Sequence, residues 1–247
     1  MEIATEHIEI PLKQGGSMGG YLARPTAGGS RPAVLVFMEI FGINEHIRDV
    51  CERVAREGYV GLAPDFFHRT GPGADYDYDE EGFAKGMKML NALTADEMIA
   101  DARAALAYLR SREDVDPGRI GCMGFCIGGH MAYLTACETD VKATASFYGG
   151  GIAASQGPGG APSTVGRTQK ITGKVLCLFG GRDSFIPKRQ VDLIAEMLRQ
   201  EGVPNDVVTY EGADHGFFCD RRDSYHAAAA EDAWERVKRL FLEEFAS

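Results

Sequence analysis

The sequence predicts an α/β fold, a mostly parallel central sheet of about eight strands with helices on both faces. Three observations predict it. Short β-rich runs alternate with helical patterns almost from end to end, and such alternation gives parallel strands joined by crossover helices. Several strand-like runs are apolar at nearly every position, as strands covered on both faces are. The 247 residues suit one domain, 1–247, with a large buried core, and no repeat or linker divides them.

In chain order, the runs near 6–11 and 19–24 read as an antiparallel hairpin at the sheet edge. Residues 33–38, Ala-Val-Leu-Val-Phe-Met, form the first fully buried strand. Ile47, Val50, Cys51 and Val54 recur at i, i+3, i+4, i+7, which predicts a helix closed by Gly58. The next strand spans 59–63 and ends at Pro64; a polar segment rich in Gly and Asp follows. Met98, Ile99, Ala102, Leu106 and Leu109 then mark one face of a long helix. Strands are expected at 119–124, 143–148, 174–180 and 206–210, and helices at 127–137, 188–201 and 228–245. The stretch 149–172 is rich in Gly, Ala and Ser and has no periodicity, so it reads as a loop or a cover over a site.

Composition narrows the function. Hydrophobic residues at 45% and charged residues at 25% are those of an ordinary soluble globular protein. The formal net charge of -10 argues against nucleic acid or an anionic membrane as partner, because phosphate binding needs clustered Lys and Arg. The N-terminal segment carries Glu2 and Glu6 where a signal peptide would carry basic residues, and no run of about 18 apolar residues occurs. A cytoplasmic location and six reduced cysteines are therefore expected.

The chemistry centres on Gly124-Phe125-Cys126-Ile127-Gly128-Gly129, which follows a predicted strand and opens a predicted helix. A nucleophile elbow needs that context: a tight strand-to-helix turn exposes the central residue, and flanking glycines let neighbouring chain approach. Taken alone, the same pattern also suits a turn around a buried structural cysteine. Partners decide between the two. Asp183 in Gly180-Gly181-Arg182-Asp183 and His215 in Asp214-His215-Gly216-Phe217 each follow a predicted strand, in the order nucleophile, acid, histidine. All three then fall on one edge of the sheet. Cys126 would attack a carbonyl, His215 would hold the proton, and Asp183 would fix the imidazole. The backbone N–H groups of Ile127 and Ile40 would form the oxyanion hole.

These segments, with Ala-Pro-Asp-Phe-Phe at 63–67 and Met-Glu-Ile-Phe-Gly at 38–42, resemble the dienelactone hydrolase (carboxymethylenebutenolidase) family over roughly residues 8–245. The resemblance implies an eight-stranded α/β-hydrolase fold without a large cap and a Cys126–His215–Asp183 triad. It further suggests a monomer acting on a small-molecule ester or lactone. It implies that Glu39 gates the thiol; read without it, an acid at that strand end is a solvated loop residue or a site carboxylate alike. Two departures stand out. The resemblance implies two arginines holding a substrate carboxylate, yet only Lys85 lies near one position, and Arg221 and Arg222 come slightly late for the other. Gly216 also stands where the dienelactone enzymes carry a serine. Lys85, Tyr148, Phe217 and Arg221 are the candidate substrate-binding residues, with Phe66, Phe67, Tyr76, Tyr78 and Phe83 as further aromatics that could line a pocket.

Other classes fit less well. No Cys-x-x-Cys or His-Glu-x-x-His spacing occurs, so neither a metal nor another cofactor is expected. The Gly-rich runs at 149–151 and 157–160 lack the Gly-Lys-Ser/Thr ending of a phosphate cradle. A non-catalytic hydrolase-fold protein often lacks a triad member, whereas this chain carries all three. The alternative within enzymes is a carboxylesterase or thioesterase on a neutral acyl substrate.

Overall fold

In the computed structural model, which describes residues 1–246, β1 (Ile3–Pro11) and β2 (Ser17–Pro25) form an antiparallel hairpin at one sheet edge. The remaining strands are β3 (Arg31–Phe37), β4 (Val60–Pro64), β5 (Val115–Phe125), β6 (Ala143–Phe147), β7 (Lys174–Gly180) and β8 (Asn205–Tyr210). Their order is β1-β2-β4-β3-β5-β6-β7-β8, antiparallel at β1–β2 and β2–β4 and parallel from β4 onward. The predicted α/β architecture is therefore the observed one, and no large cap domain covers the described residues.

The topology also locates a crevice. From β3 the chain moves to β4 on one side, then crosses back to β5 on the other. In open α/β sheets, ligands bind beyond the carboxyl ends of the strands where the order reverses in this way. Glu39 follows β3, and Cys126 follows β5, so both stand at this switch point.

Helices cover the two faces. They are α1 (Glu45–Arg56), α2 (Glu80–Ala92), α3 (Ala95–Arg110), α4 (Ile127–Glu138), α5 (Lys188–Gln200) and α6 (Ala227–Phe245). The stripe expected on α1 faces inward, with Ile47, Val50, Cys51 and Val54 buried, and α6 buries Val237, Leu240, Phe241 and Phe245. In α4 every residue from Ile127 to Cys137 is buried, as a helix apolar on all sides should be. Among the described residues, no helix is long and apolar enough to cross a membrane.

The chief departure from the sequence reading is α2, which occupies much of the polar Gly- and Asp-rich segment. Its buried residues are Gly82, Gly86 and Met89, so two glycines and a single large apolar side chain form its packing face. Its start is nonetheless encoded. Asp79 caps it by accepting from the Gly82 N–H at 2.7 Å, and Glu80 and Glu81 sit in the first turn. The 149–172 stretch is a cover with two 3₁₀ turns, Pro158–Gly160 and Thr164–Lys170.

Candidate active site

Cys126 is the N-cap of α4, with φ 57° and ψ −120°, a left-handed backbone held at the strand-to-helix turn. Its N–H donates to the Phe147 carbonyl at 3.1 Å, which ties the turn to the end of β6. The flanking glycines are required by space. A Cβ on Gly124 would overlap the Gly128 carbonyl, and one on Gly128 would overlap the carbonyls of Phe37 and Met38. The side chain of Cys126 is partly exposed, whereas the other five cysteines are buried. Ile127 is the first residue of α4, so its N–H has no acceptor within the helix.

Asp183, beyond β7, is almost fully buried. One carboxylate oxygen accepts from the Phe185 and Ile186 N–H groups at 2.8 and 3.2 Å. The other lies 2.7 Å from Nδ1 of His215, which stands beyond β8. The imidazole packs edge-on between Tyr148 and Phe185, with ring centroids 5.1 and 5.2 Å away. Burial lowers the His215 pKa, but the charge of Cys126 and hydrogen bonds with Asp183 and Cys126 more than offset it, raising the pKa to about 10. An imidazolium is thus favoured between the carboxylate and the sulfur.

Glu39 is fully buried beside this group. Its Oε2 accepts from the Tyr78 hydroxyl at 2.9 Å and its Oε1 from Arg222 Nη1 at 3.1 Å. The Arg222 guanidinium lies over the rings of Phe41 and Tyr78. Burial works against its charge, but Glu39 together with Tyr148, Cys126 and Tyr78 more than compensates and raises its pKa. Gly216, at φ 81°, makes room for it: a Cβ there would stand 2.6 Å from Nη1. The glycine after the histidine and the late arginine are therefore one structural feature.

A cavity of about 540 Å³ opens over Cys126 and His215. Phe83, Met87 and Leu90 of α2, Pro158 of the cover, and Ile40 and Ile127 are among the residues that line it. His130, one turn along α4, joins the cover to that helix: Nδ1 lies 2.9 Å from the Gly150 carbonyl and Nε2 2.7 Å from the Thr164 hydroxyl. Burial lowers its pKa to about 4.

Residues 18–245 match the model of the dienelactone hydrolase family. The chain belongs to that family. A Synechocystis protein assigned as a carboxymethylenebutenolidase is 45% identical over 244 residues, covering 99% of this chain and 98% of its own. An Escherichia coli protein assigned in the same way is 35% identical over 97% of this chain and 87% of its own. A Klebsiella pneumoniae crystal structure assigned as a dienelactone hydrolase superposes with a TM-score of 0.88 at 32% identity, covering 98% and 99% of the two chains. The chain is therefore a hydrolase of the dienelactone hydrolase type.

Within that family, the expected substrate-binding residues fare differently. Lys85 lies on the outer side of α2, 2.6 Å from Glu81, and is not part of the cavity wall. Helical geometry explains it: two residues on from Phe83 is a rotation of about 200°, away from the wall that Phe83, Met87 and Leu90 share. Arg221 pairs with Glu45 at 2.9 Å and faces a separate polar hollow. Its neighbour Arg222 is the one that reaches the cavity. Phe217 is fully buried behind Tyr148, their centroids 5.3 Å apart, and supports the site from below. Tyr148 is fully buried too; its hydroxyl has no hydrogen-bond partner among the described residues. Of the other aromatics only Phe83 lines the cavity, while Phe66 and Phe67 are core.

Proposed function

We propose that this hydrolase cleaves the ester or lactone bond of a small molecule, with Cys126 as nucleophile, His215 as proton carrier and Asp183 as its anchor. The observation that carries the reading is the run of neighbours from Asp183 to His215 to Cys126, assembled from the ends of three strands beneath one cavity. The sulfur attacks the carbonyl carbon, and the negative charge that develops on oxygen is met by the N–H groups of Ile127 and Ile40. Collapse breaks the C–O bond, and the imidazolium of His215 gives its proton to the leaving alkoxide. A thioester to Cys126 remains. Water then attacks it while His215 takes a proton, and the acid leaves as the sulfur is released.

The test is a two-phase one with p-nitrophenyl acetate. Wild type should show a burst of p-nitrophenol and a peptide containing Cys126 heavier by one acetyl group. Cys126→Ala should show neither, while its circular dichroism and melting temperature match wild type. Turnover by the alanine variant would remove Cys126 from the mechanism. Cys126→Ser should keep little activity, because a hydroxyl needs far more help from the base than a thiol does.

A further inference from the structure

The two Gly-rich runs of the sequence, 149–151 and 157–160, belong to one loop of the cover. The first passes over His130 of α4. Gly151 stands at φ 81°, and a Cβ there would lie 3.3 Å from Nδ1 of that ring. The second run forms the tip of the loop. The Gly157 N–H donates to the Ala161 carbonyl at 2.8 Å, and a Cβ on Gly159 would stand 2.8 Å from the side chain of Thr94, the N-cap of α3. Residues 156–159 line the cavity, as do Phe83, Met87 and Leu90 of α2.

His130 closes the base of this loop. It is 2% exposed and bonds to both limbs, through the Gly150 carbonyl at 2.9 Å and the Thr164 hydroxyl at 2.7 Å. A carbonyl can only accept, so Nδ1 carries the proton. Burial keeps the ring neutral, and Nε2 therefore accepts from the Thr164 hydroxyl. Both nitrogens are then taken, and neither is left for a substrate. The rest of the cover is held without this ring. The hydroxyls of Tyr133 and Thr168 lie 2.7 Å apart, and Glu138 accepts from Arg167 and Lys170 at 2.6 and 2.9 Å. All three of those cover residues come after Thr164. The segment 151–163, tip included, is closed at its base by His130 and by the Val165 N–H, which donates to the Ile152 carbonyl at 2.9 Å.

We propose that His130 is a positioning residue that sets which acyl groups the site accepts: by joining Gly150 to Thr164 it holds the tip at 156–159 in place as a wall of the cavity. The proposal rests on the hydrolytic reading above, because it concerns the acyl group of the bond that Cys126 attacks. Loss of the ring frees the tip but leaves the anchors at Tyr133 and Glu138, so the effect falls on the loop rather than on the whole cover.

The experiment compares p-nitrophenyl acetate with p-nitrophenyl hexanoate. The two share a leaving group, and only the hexanoyl chain extends well beyond the reacting carbonyl. In His130→Leu, kcat/KM for the hexanoate should fall about tenfold more than for the acetate, the scale of one buried hydrogen bond. The difference should appear in KM rather than in kcat. His130→Gln keeps one N–H donor and one carbonyl acceptor and should recover the hexanoate to within about threefold of wild type. Thr164→Val removes only the hydroxyl, and carries the same test should His130→Leu fail to fold. An equal fall for both esters is what a merely structural role predicts and would overturn the proposal. Amide hydrogen exchange over 151–163 should also quicken by about tenfold in the variant that folds, with β5 and β6 unchanged; unchanged exchange in the loop overturns it as well. Calorimetry of the p-nitroanilide of hexanoic acid on Cys126→Ala, with and without the second substitution, needs no chemistry. If wild type hydrolyses neither ester but the anilide binds about tenfold more weakly in the double variant, the hydrolytic reading fails and the role of His130 stands. If the anilide binds both equally, or neither, the role of His130 fails whatever the turnover.

Discussion

At the scale of single residues, His215 sets the pH behaviour. Its pKa is raised to about 10 by Cys126 and Asp183 against the effect of burial. The imidazolium therefore persists at neutral pH, and on the proposed mechanism kcat/KM should fall as pH rises through about 10. Asp183→Asn removes one of the two anions, so the alkaline limb should move to lower pH, with kcat/KM down on the order of 100-fold at neutrality. An unmoved limb would assign it to another group. The same shift has a stability sign. A raised folded pKa adds stability that is fully present below the unfolded value, about 6.5, and lost as pH rises through about 10. The melting temperature of wild type should thus decline over that window more steeply than that of His215→Gln. Gly216 is constrained by space rather than charge. Gly216→Ala puts a Cβ at φ 81°, 2.6 Å from Arg222 Nη1, and should cost roughly 1–3 kcal/mol in a urea titration. Only the part due to the clash should vanish in the background of Arg222→Ala, while the strain of the positive φ remains.

At the scale of elements, the residues of the proposed triad were legible because each sits in a short motif at a strand end, and the strand pattern fixes which edge they share. The shared edge, the elbow and the hairpin follow from apolar runs and glycine spacing alone. The helix α2 did not, because Gly82 and Gly86 stand on its packing face and its apolar residues Phe83, Met87 and Leu90 line the cavity rather than the core. The cap at Asp79 and the acids at Glu80 and Glu81 were the available signal. Missing that helix also misplaced Lys85, whose direction depends on helical phase, and Arg222 could not be told from Arg221 because its reach depends on the empty space at Gly216. Gly86 shows why α2 packs as it does: a Cβ there would overlap the Ile40 carbonyl. Gly86→Ala should push α2 and the Ile40 loop apart. We expect a loss of about 1–3 kcal/mol in stability, together with a fall in kcat/KM larger than that of Lys88→Ala, an exposed neighbour on the same helix. A variant that loses stability but keeps full kcat/KM would mean that the position of Ile40 does not matter to the reaction.

At the scale of the whole molecule, the site depends on three strand ends held in register by parallel pairing through β5, β6, β7 and β8. No local unit contains Cys126, Asp183 and His215 together, so activity should require the intact sheet. The scaffold reaches Cys126 through β5. Phe241 and Phe245 of α6 stack with centroids 5.4 Å apart, and both rings crowd Gly121, where a Cβ would stand 3.0 Å from each. Gly121 lies in β5, which leads directly into Cys126, a span of about 17 Å at the rise of an extended strand. Phe241→Ala opens a cavity at that distance and should cost about 3–5 kcal/mol. Because the cavity is remote from the sulfur, kcat at a temperature well below the transition should equal that of wild type. Heating should then abolish activity and far-UV signal over one shared interval, lowered relative to wild type, as a cooperative single unit requires. Activity lost well before the far-UV signal would show instead that the strand ends unfold on their own, and that the sheet's integrity is not what holds the three groups together.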